Sequence, residues 1–97
     1  MSAMAPKLLM IDDHTGITKV VGLVAVALGM EYKALNVSVV ATETFIDYRP
    51  DIVIIDMHMP EKDGIDVLDE VMTTGIPTQI VLTSGYGEGS CGWARAL

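Results

Sequence analysis

Short runs that fit strands alternate along the chain with longer segments that fit helices. Strands are predicted at residues 7–11, 31–35, 51–56 and 79–83, and helices at residues 17–30, 37–48 and 65–74. A continuous apolar run, clearest in "DIVIID" at residues 51–56, is typical of a strand that is buried on both faces. The alternation predicts parallel strands joined by right-handed crossovers. We therefore predict an α/β fold with a doubly wound parallel sheet, as one domain over residues 1–97.

The charge and cysteine content limit the classes of partner and compartment. The net charge of −7 argues against a nucleic-acid partner, because a phosphate backbone would repel this chain. A cation or a basic protein fits better. Cys91 is the only cysteine, so no intrachain disulfide can form and we expect a cytoplasmic protein. The longest uncharged apolar run, residues 20–30, is too short for a bilayer, so no membrane association is expected.

Polar residues follow three of the predicted strands. Asp12 and Asp13 follow the first strand, Asp56 ends the third, and Thr83 and Ser84 end the fourth. Doubly wound sheets bind ligands beyond the carboxyl ends of their strands. These carboxylates and hydroxyls are therefore expected to meet at one edge of the sheet.

Crowded carboxylates repel one another, and either a raised pKa or a bound hard cation relieves the repulsion. Mg²⁺ is the simplest candidate, since it accepts carboxylate and phosphate oxygens, and Asp56 could then attack phosphorus. Plainer interpretations exist for each residue alone. Asp12 or Asp13 could cap the first helix, backbone amides could satisfy Asp56 at the start of a loop, and Ser84 could form a turn.

Three motifs together resemble the receiver domain of bacterial two-component response regulators. They are "LLMIDD" at residues 8–13, "RPDIVIIDMHMPEKDGIDVL" at residues 49–68 and "IVLTSGYG" at residues 80–87. The most specific part is "PD" six residues before an Asp that is followed by "MHMP" and then "DG". The resemblance implies a flavodoxin-like receiver fold whose partner is a histidine kinase or a phosphotransfer protein.

The resemblance also assigns roles to residues of the pocket. It implies that Asp56 is the phosphoacceptor and that Asp13, with Asp12 beside it, holds Mg²⁺ together with the backbone carbonyl of His58. It implies that Ser84 contacts the phosphoryl group, with Thr83 as the second choice. The chain would then be a phosphoacceptor domain rather than an enzyme. The loop residues 59–60 and 63–64 would shape the floor of the pocket.

The sequence departs from the family after the fourth strand. Receiver domains usually continue to a fifth strand that ends in a phosphate-pairing lysine and to a fifth helix, but no lysine follows Lys62 here. We expect a fold without that strand and helix, in which residues 85–97 form an irregular tail or a partial fourth helix.

The first helix carries no charged residue between Val20 and Leu28. A helix that is apolar on every face is usually buried on both sides. An open strand edge also tends to pair with another chain. Together they predict a homodimer through this helix and the open edge of the fourth strand. Many small residues in a loosely selected helix would explain the same pattern. The missing lysine favours an alternative function, a degenerate receiver-like interaction module that dimerises but does not switch by phosphorylation.

Overall fold

The structure is a computed structural model that describes residues 5–83 and, as backbone, residues 93–96. The strands are β1 (Lys7–Ile11), β2 (Glu31–Leu35), β3 (Ile52–Asp56), β4 (Gln79–Thr83) and β5 (Trp93–Ala96). The helices are α1 (Thr15–Ala27), α2 (Ala41–Tyr48) and α3 (Gly64–Thr73). Each predicted strand and helix is present. No helix in the described residues has the length and hydropathy needed to cross a membrane.

One sheet has the strand order β2-β1-β3-β4-β5. The first four strands pair in parallel, with Leu8 opposite Ile52 and Asp56 opposite Thr83. The predicted doubly wound parallel sheet is thus confirmed. Because β1 lies between β2 and β3, the strand order reverses between β1 and β3, where such sheets bind ligands.

The end of the chain differs from the prediction. Residues 93–96 form β5, which pairs antiparallel with β4 through Ile80 and Ala96 at one end and Thr83 and Trp93 at the other. We had expected an irregular tail or a partial helix here and an open edge at β4. That edge is instead paired, and because β5 is antiparallel it is not the parallel fifth strand usual in receiver domains.

The main core lies between the sheet and helices α2 and α3. Its apolar side chains come from every second position of the strands and from the inner faces of the two helices. Phe45, Val53, Ile55 and Val67 are fully buried there. Helix α2 ends before Arg49, which adopts a left-handed conformation (φ 55°) before Pro50. Helix α3 starts after Asp63, which caps it by accepting a hydrogen bond from Asp66 N at 3.0 Å.

Helix α2 begins later than predicted. The apolar pattern placed its start at residue 37, whereas the helix runs from Ala41. The residues before Ala41 stay in a loop instead. The Ser38 carbonyl accepts a hydrogen bond from Ala41 N at 3.1 Å. The Ser38 side-chain oxygen accepts a hydrogen bond from Lys62 N at 3.0 Å. This contact spans 24 residues, so no local pattern could have indicated it.

Helix α1 packs on β1 and β2 with only one side. Thr18, Gly22 and Ala25 are buried, at helical spacing. The ring of Tyr32 lies on Gly22, where a Cβ would approach Tyr32 Cε2 to 2.7 Å. The outer side remains apolar and exposed, with Leu23 75% exposed and Val26 66% exposed. The predicted all-round apolar character is therefore present, but the described residues cover only one side of the helix.

Candidate functional site

Asp12 lies directly after β1 and is held through its backbone. Its N–H donates to Leu35 O at 3.0 Å, and its carbonyl accepts a hydrogen bond from Asn36 Nδ2 at 2.8 Å. These bonds extend the pairing of β1 with β2 by one residue. The side chain is only 1% exposed. The fold therefore fixes a carboxylate at the buried edge of the sheet.

Asp56 ends β3 and is also 1% exposed. Its Oδ1 accepts a hydrogen bond from His58 N at 3.2 Å, whereas its Oδ2 has no hydrogen-bond partner among the described residues. A buried carboxylate oxygen without a partner costs about 1–3 kcal/mol, and more when the group is charged. Such an atom in a folded protein is best explained by a ligand that it serves.

The start of α3 packs directly on the backbone beside Asp56. Gly64 N donates to Met57 O at 3.1 Å. A Cβ on Gly64 would lie 2.6 Å from Met57 Cα and would also overlap the carbonyl oxygen of Asp56. Only glycine permits this approach. Gly64 thus lets the start of α3 pack against the backbone of Asp56 and Met57.

The strand ends bring the predicted carboxylates together. Asp12, Asp13, His14 and Asp56 each offer one ligand atom, and these atoms lie within 4.8 Å of one another. Burial raises the pKa of Asp56, and the charges of Asp12 and Asp13 raise that pKa further, although the His58 N–H opposes the change. The hydrogen bonds within the pocket therefore stabilise only part of the negative charge of its carboxylates.

His14 is the member of this group that the sequence interpretation missed. Its Nδ1 lies 3.2 Å from Asp12 Oδ1 and 3.3 Å from Asp13 Oδ1. The hydrogen bond to Asp12, followed by the negative charge of Asp13, raises the pKa of His14. The signal available in the sequence was its position directly after two aspartates.

The capping interpretation of the first aspartates is wrong. His14 is the N-cap residue of α1, and no side-chain capping bond is made there. Asp12 Oδ1 instead accepts a hydrogen bond from His14 N at 2.9 Å. Asp13 Oδ1 is buried and makes no hydrogen bond within the described part of the chain. Asp12 and Asp13 therefore belong to the acidic cluster and do not cap the helix.

The remaining predicted site residues differ in position. Thr83 lies opposite Asp56 in the sheet, and its carbonyl accepts a hydrogen bond from Met57 N at 2.8 Å. His58 is exposed, and its backbone N–H is bound to Asp56 as described above. Ser84, the first choice for the phosphate-contacting hydroxyl, lies outside the described residues.

The donor set fits Mg²⁺. Three carboxylates converge, two of them nearly inaccessible to solvent, and two of their oxygens have no hydrogen-bond partner in the described residues. Oxygen ligands of this kind suit a hard divalent cation, which would also relieve the repulsion among them.

Comparison with known proteins identifies the family. The family model described as "Response regulator receiver domain" matches residues 8–92. The chain belongs to this family. The receiver domain resembles the chemotaxis protein CheY of Bacillus subtilis, with 31% identity over 88 residues that cover 90% of this chain and 73% of CheY.

The receiver domain also resembles part of larger regulators. It is 30% identical to the regulatory protein AtoC of Escherichia coli over 82 residues, which cover 84% of this chain but only 18% of AtoC. It is 33% identical to a protein-glutamate methylesterase of Anaeromyxobacter dehalogenans over 90% of this chain and 25% of that enzyme. The chain thus spans a quarter or less of these two relatives.

A solved structure shows the same fold. The chemotaxis protein CheY4 of Vibrio cholerae superposes with a TM-score of 0.78 at 23% identity, over 88% of this receiver domain and 73% of CheY4. The four parallel strands and three helices described above therefore match the receiver fold, and the predicted family and fold are confirmed.

Proposed function

We propose that this chain is a signalling receiver that is phosphorylated on Asp56 with Mg²⁺ in the pocket, and that it acts in the cytoplasm through protein contacts. The observation that carries the proposal is Asp56 itself. Its carboxylate is buried to 1% exposure, and one of its oxygens has no hydrogen-bond partner among the described residues, although two further carboxylates stand beside it. Asp12, Asp13 and Asp56 would hold the ion, together with the backbone carbonyl of His58.

The chemistry assigned to Asp56 is nucleophilic. A carboxylate oxygen of Asp56 attacks the phosphorus of a phosphohistidine or of a small acyl phosphate. The bond from phosphorus to the donor breaks, its electron pair leaves with the donor, and an acyl phosphate remains on Asp56. Bound Mg²⁺ supplies positive charge that offsets the phosphoryl oxygens. Ser84 or Thr83 would contact the phosphoryl group by a hydroxyl.

Lysine does not contribute to this pocket in the described residues. The sequence has no lysine after Lys62, and the Lys62 ammonium is bound by both carboxylate oxygens of Glu70 at 2.9 Å.

The test is phosphorylation by a small donor. The protein is incubated with acetyl phosphate and Mg²⁺, and intact mass spectrometry follows the gain of one phosphoryl group. We expect the gain in the native chain, and we expect its loss in Asp56→Asn and after chelation of the metal. Asp51→Asn is the matched control, because Asp51 is an exposed carboxylate on the same segment that binds Lys7 N instead.

The two functions are separated by this experiment. A gain that persists in Asp56→Asn would refute the assignment of the phosphoacceptor. No gain in the native chain would favour the alternative of a receiver-like interaction module that does not switch by phosphorylation.

We further propose that the chain forms a homodimer through α1. The exposed apolar residues of its outer side are Val20, Leu23, Val24 and Val26. An apolar face of this kind on a soluble fold indicates a contact surface, and two copies of one helix can cover each other around a twofold axis. The edge of β4 takes no part in this proposal, because β5 pairs with it.

Sedimentation equilibrium tests the dimer. We expect a dimeric mass for the native chain and a monomeric mass for Leu23→Glu. Met72→Glu is the control, since Met72 is a 51% exposed apolar residue on α3, away from α1. A monomeric native chain at micromolar concentration, or a dimer that Leu23→Glu leaves intact, would contradict the proposal.

A further inference from the structure

His14 adds a nitrogen ligand to a pocket that otherwise offers oxygen. Its Nδ1 lies 3.2 Å from Asp12 Oδ1 and 3.3 Å from Asp13 Oδ1. Neighbouring ligand atoms around an octahedral ion with bonds of about 2.1 Å lie about 3 Å apart. The His14 Nδ1 atom therefore lies at nearly the separation that a shared metal ion requires from each of these two carboxylate oxygens.

The turn before α1 holds the imidazole in this place. Asp12 Oδ1 accepts a hydrogen bond from His14 N at 2.9 Å, which fixes the backbone of His14 relative to that carboxylate. The imidazole lies back towards the two aspartates, while the side chain of His14 is 54% exposed. Nδ1 is hydrogen-bonded to Asp12, so an ion that binds it must displace a proton, which the exposed side chain can release to solvent.

A second observation points to a ligand independently of His14. Asp56 is 1% exposed and its Oδ2 has no hydrogen-bond partner among the described residues, while one of its carboxylate oxygens belongs to the same group of atoms within 4.8 Å. A buried carboxylate with an unpaired oxygen is expected where a cation completes the site.

The kind of ligand atom decides the kind of metal. Mg²⁺ prefers oxygen and keeps much of its water, whereas imidazole nitrogen suits zinc, copper, nickel and iron. We infer that His14 makes this pocket a mixed nitrogen and oxygen site that binds a divalent transition metal, with Zn²⁺ as the probe, more tightly than Mg²⁺. The ligands are His14 Nδ1 and carboxylate oxygens of Asp12, Asp13 and Asp56.

This inference rests on the proposed function in that both use the same three carboxylates. The consequence is competition: a transition metal bound through His14 excludes Mg²⁺ from the pocket. The metal that occupies the pocket would then be set by the relative availability of the two ions as well as by affinity.

The test is a metal titration of matched variants. Calorimetry measures the affinities for Zn²⁺ and Mg²⁺ of the Cys91→Ser chain, from which the only thiol has been removed, with and without His14→Asn. Asparagine keeps an amide N–H that can hydrogen-bond the carboxylates but provides no imidazole nitrogen. We expect His14→Asn to weaken Zn²⁺ binding by about tenfold or more, since even the loss of a group that merely orients a ligand costs about 10–100-fold. Mg²⁺ affinity should change by less than about twofold, because Mg²⁺ uses the oxygens.

A spectroscopic readout complements the affinities. In protein labelled with ¹⁵N-histidine, Zn²⁺ should shift the Nδ1 resonance of His14, which is assigned by its absence in His14→Asn. An equal loss of Zn²⁺ and Mg²⁺ affinity would show that His14 only positions the carboxylates, and unchanged Zn²⁺ affinity or an unshifted resonance would also overturn the inference.

The outcomes separate this inference from the proposed function. Phosphorylation with Mg²⁺ in a chain whose Zn²⁺ affinity does not depend on His14 would refute the inference alone. Zn²⁺ binding through His14 in a chain that acetyl phosphate does not modify would refute the proposed function and leave the inference standing.

Discussion

Both the core beside α2 and α3 and the carboxyl edge of the sheet contain buried side chains. Those of the core are apolar and pack on one another, whereas those of the edge are carboxylates that lack some hydrogen-bond partners among the described residues. In the core, Phe45, Val53 and Val67 are fully buried among other apolar side chains. At the edge, Asp12 and Asp56 are each 1% exposed, and a carboxylate oxygen of Asp56 has no hydrogen-bond partner among the described residues. The core lowers the free energy of the folded chain, whereas the edge raises it until a ligand binds.

The stability of the apolar core explains how the fold can keep charged residues buried at the edge of the sheet. Apolar burial contributes about 25 cal/mol per Å², so a core of this kind can offset several unfavourable kcal/mol at another site. A buried carboxylate that stays ionised would be selected against unless it served a bound ion or a reaction. Substitutions in the two regions should therefore change stability with opposite signs.

The largest effect is expected in the core. Phe45→Ala should lower the free energy of unfolding by about 3–5 kcal/mol, because it removes a fully buried ring from a packed site. Urea denaturation followed by circular dichroism measures the change. Val39→Ala, at a residue that is 57% exposed, is the control and should stay within about 0.5 kcal/mol of the native chain. A loss for Phe45→Ala no greater than that of the control would show that the apolar cluster does not carry the stability.

At the edge, the opposite sign is expected. Asp56→Asn should raise the free energy of unfolding by about 1–3 kcal/mol at neutral pH in the presence of EDTA, because it removes a buried charge without a full set of partners. The folded-state pKa of Asp56 is raised, so the native chain gains stability as the pH falls below that pKa, and the gap between the two proteins should narrow.

Mg²⁺ sharpens this contrast. Added Mg²⁺ should stabilise the native chain in urea denaturation and leave Asp56→Asn nearly unchanged, since a ligand stabilises only the folded state that binds it. An Asp56→Asn chain that is less stable than the native chain in EDTA would mean that the carboxylate is already satisfied.

The smallest effect is expected at a half-buried ion pair outside both regions. Glu70 accepts hydrogen bonds from Thr42 and Lys62, and these lower its pKa, in that order. Because the folded-state pKa is lowered, the contribution of Glu70 is present above its unfolded pKa and is lost as the pH falls through the folded value. Glu70→Gln should therefore reduce the thermal midpoint slightly at neutral pH, and the reduction should shrink as the pH falls through the folded pKa of Glu70. A reduction that does not change as the pH falls would point to a cause other than charge.

Much of the fold could be predicted because each strand is a short, continuous run of apolar residues that can be recognised from the local sequence alone. The bounds of β1, β2 and β4 agree with the apolar runs, and β3 differs from its prediction by one residue. The start of α2 and the pairing of β5 could not be predicted, since each depends on contacts between distant residues: Ser38 with Lys62, and β4 with residues 93–96.

The candidate site was predictable to the extent that it follows from topology. Parallel strands that end in aspartates must bring those aspartates together, and this holds for Asp12, Asp13 and Asp56. The part played by His14 depends on a turn that returns its ring to Asp12, which is a feature of side-chain geometry rather than of spacing.

The central claim is that Asp56 is held ready for a phosphoryl group by a metal-binding edge, and one measurement tests it most directly. ¹⁹F NMR is recorded on the protein with beryllium fluoride, a mimic of the phosphoryl group, with and without Mg²⁺. The account predicts protein-bound fluoride signals for the native chain that require Mg²⁺ and are absent from Asp56→Asn. Bound signals that persist in Asp56→Asn, or none in the native chain with Mg²⁺, would contradict it.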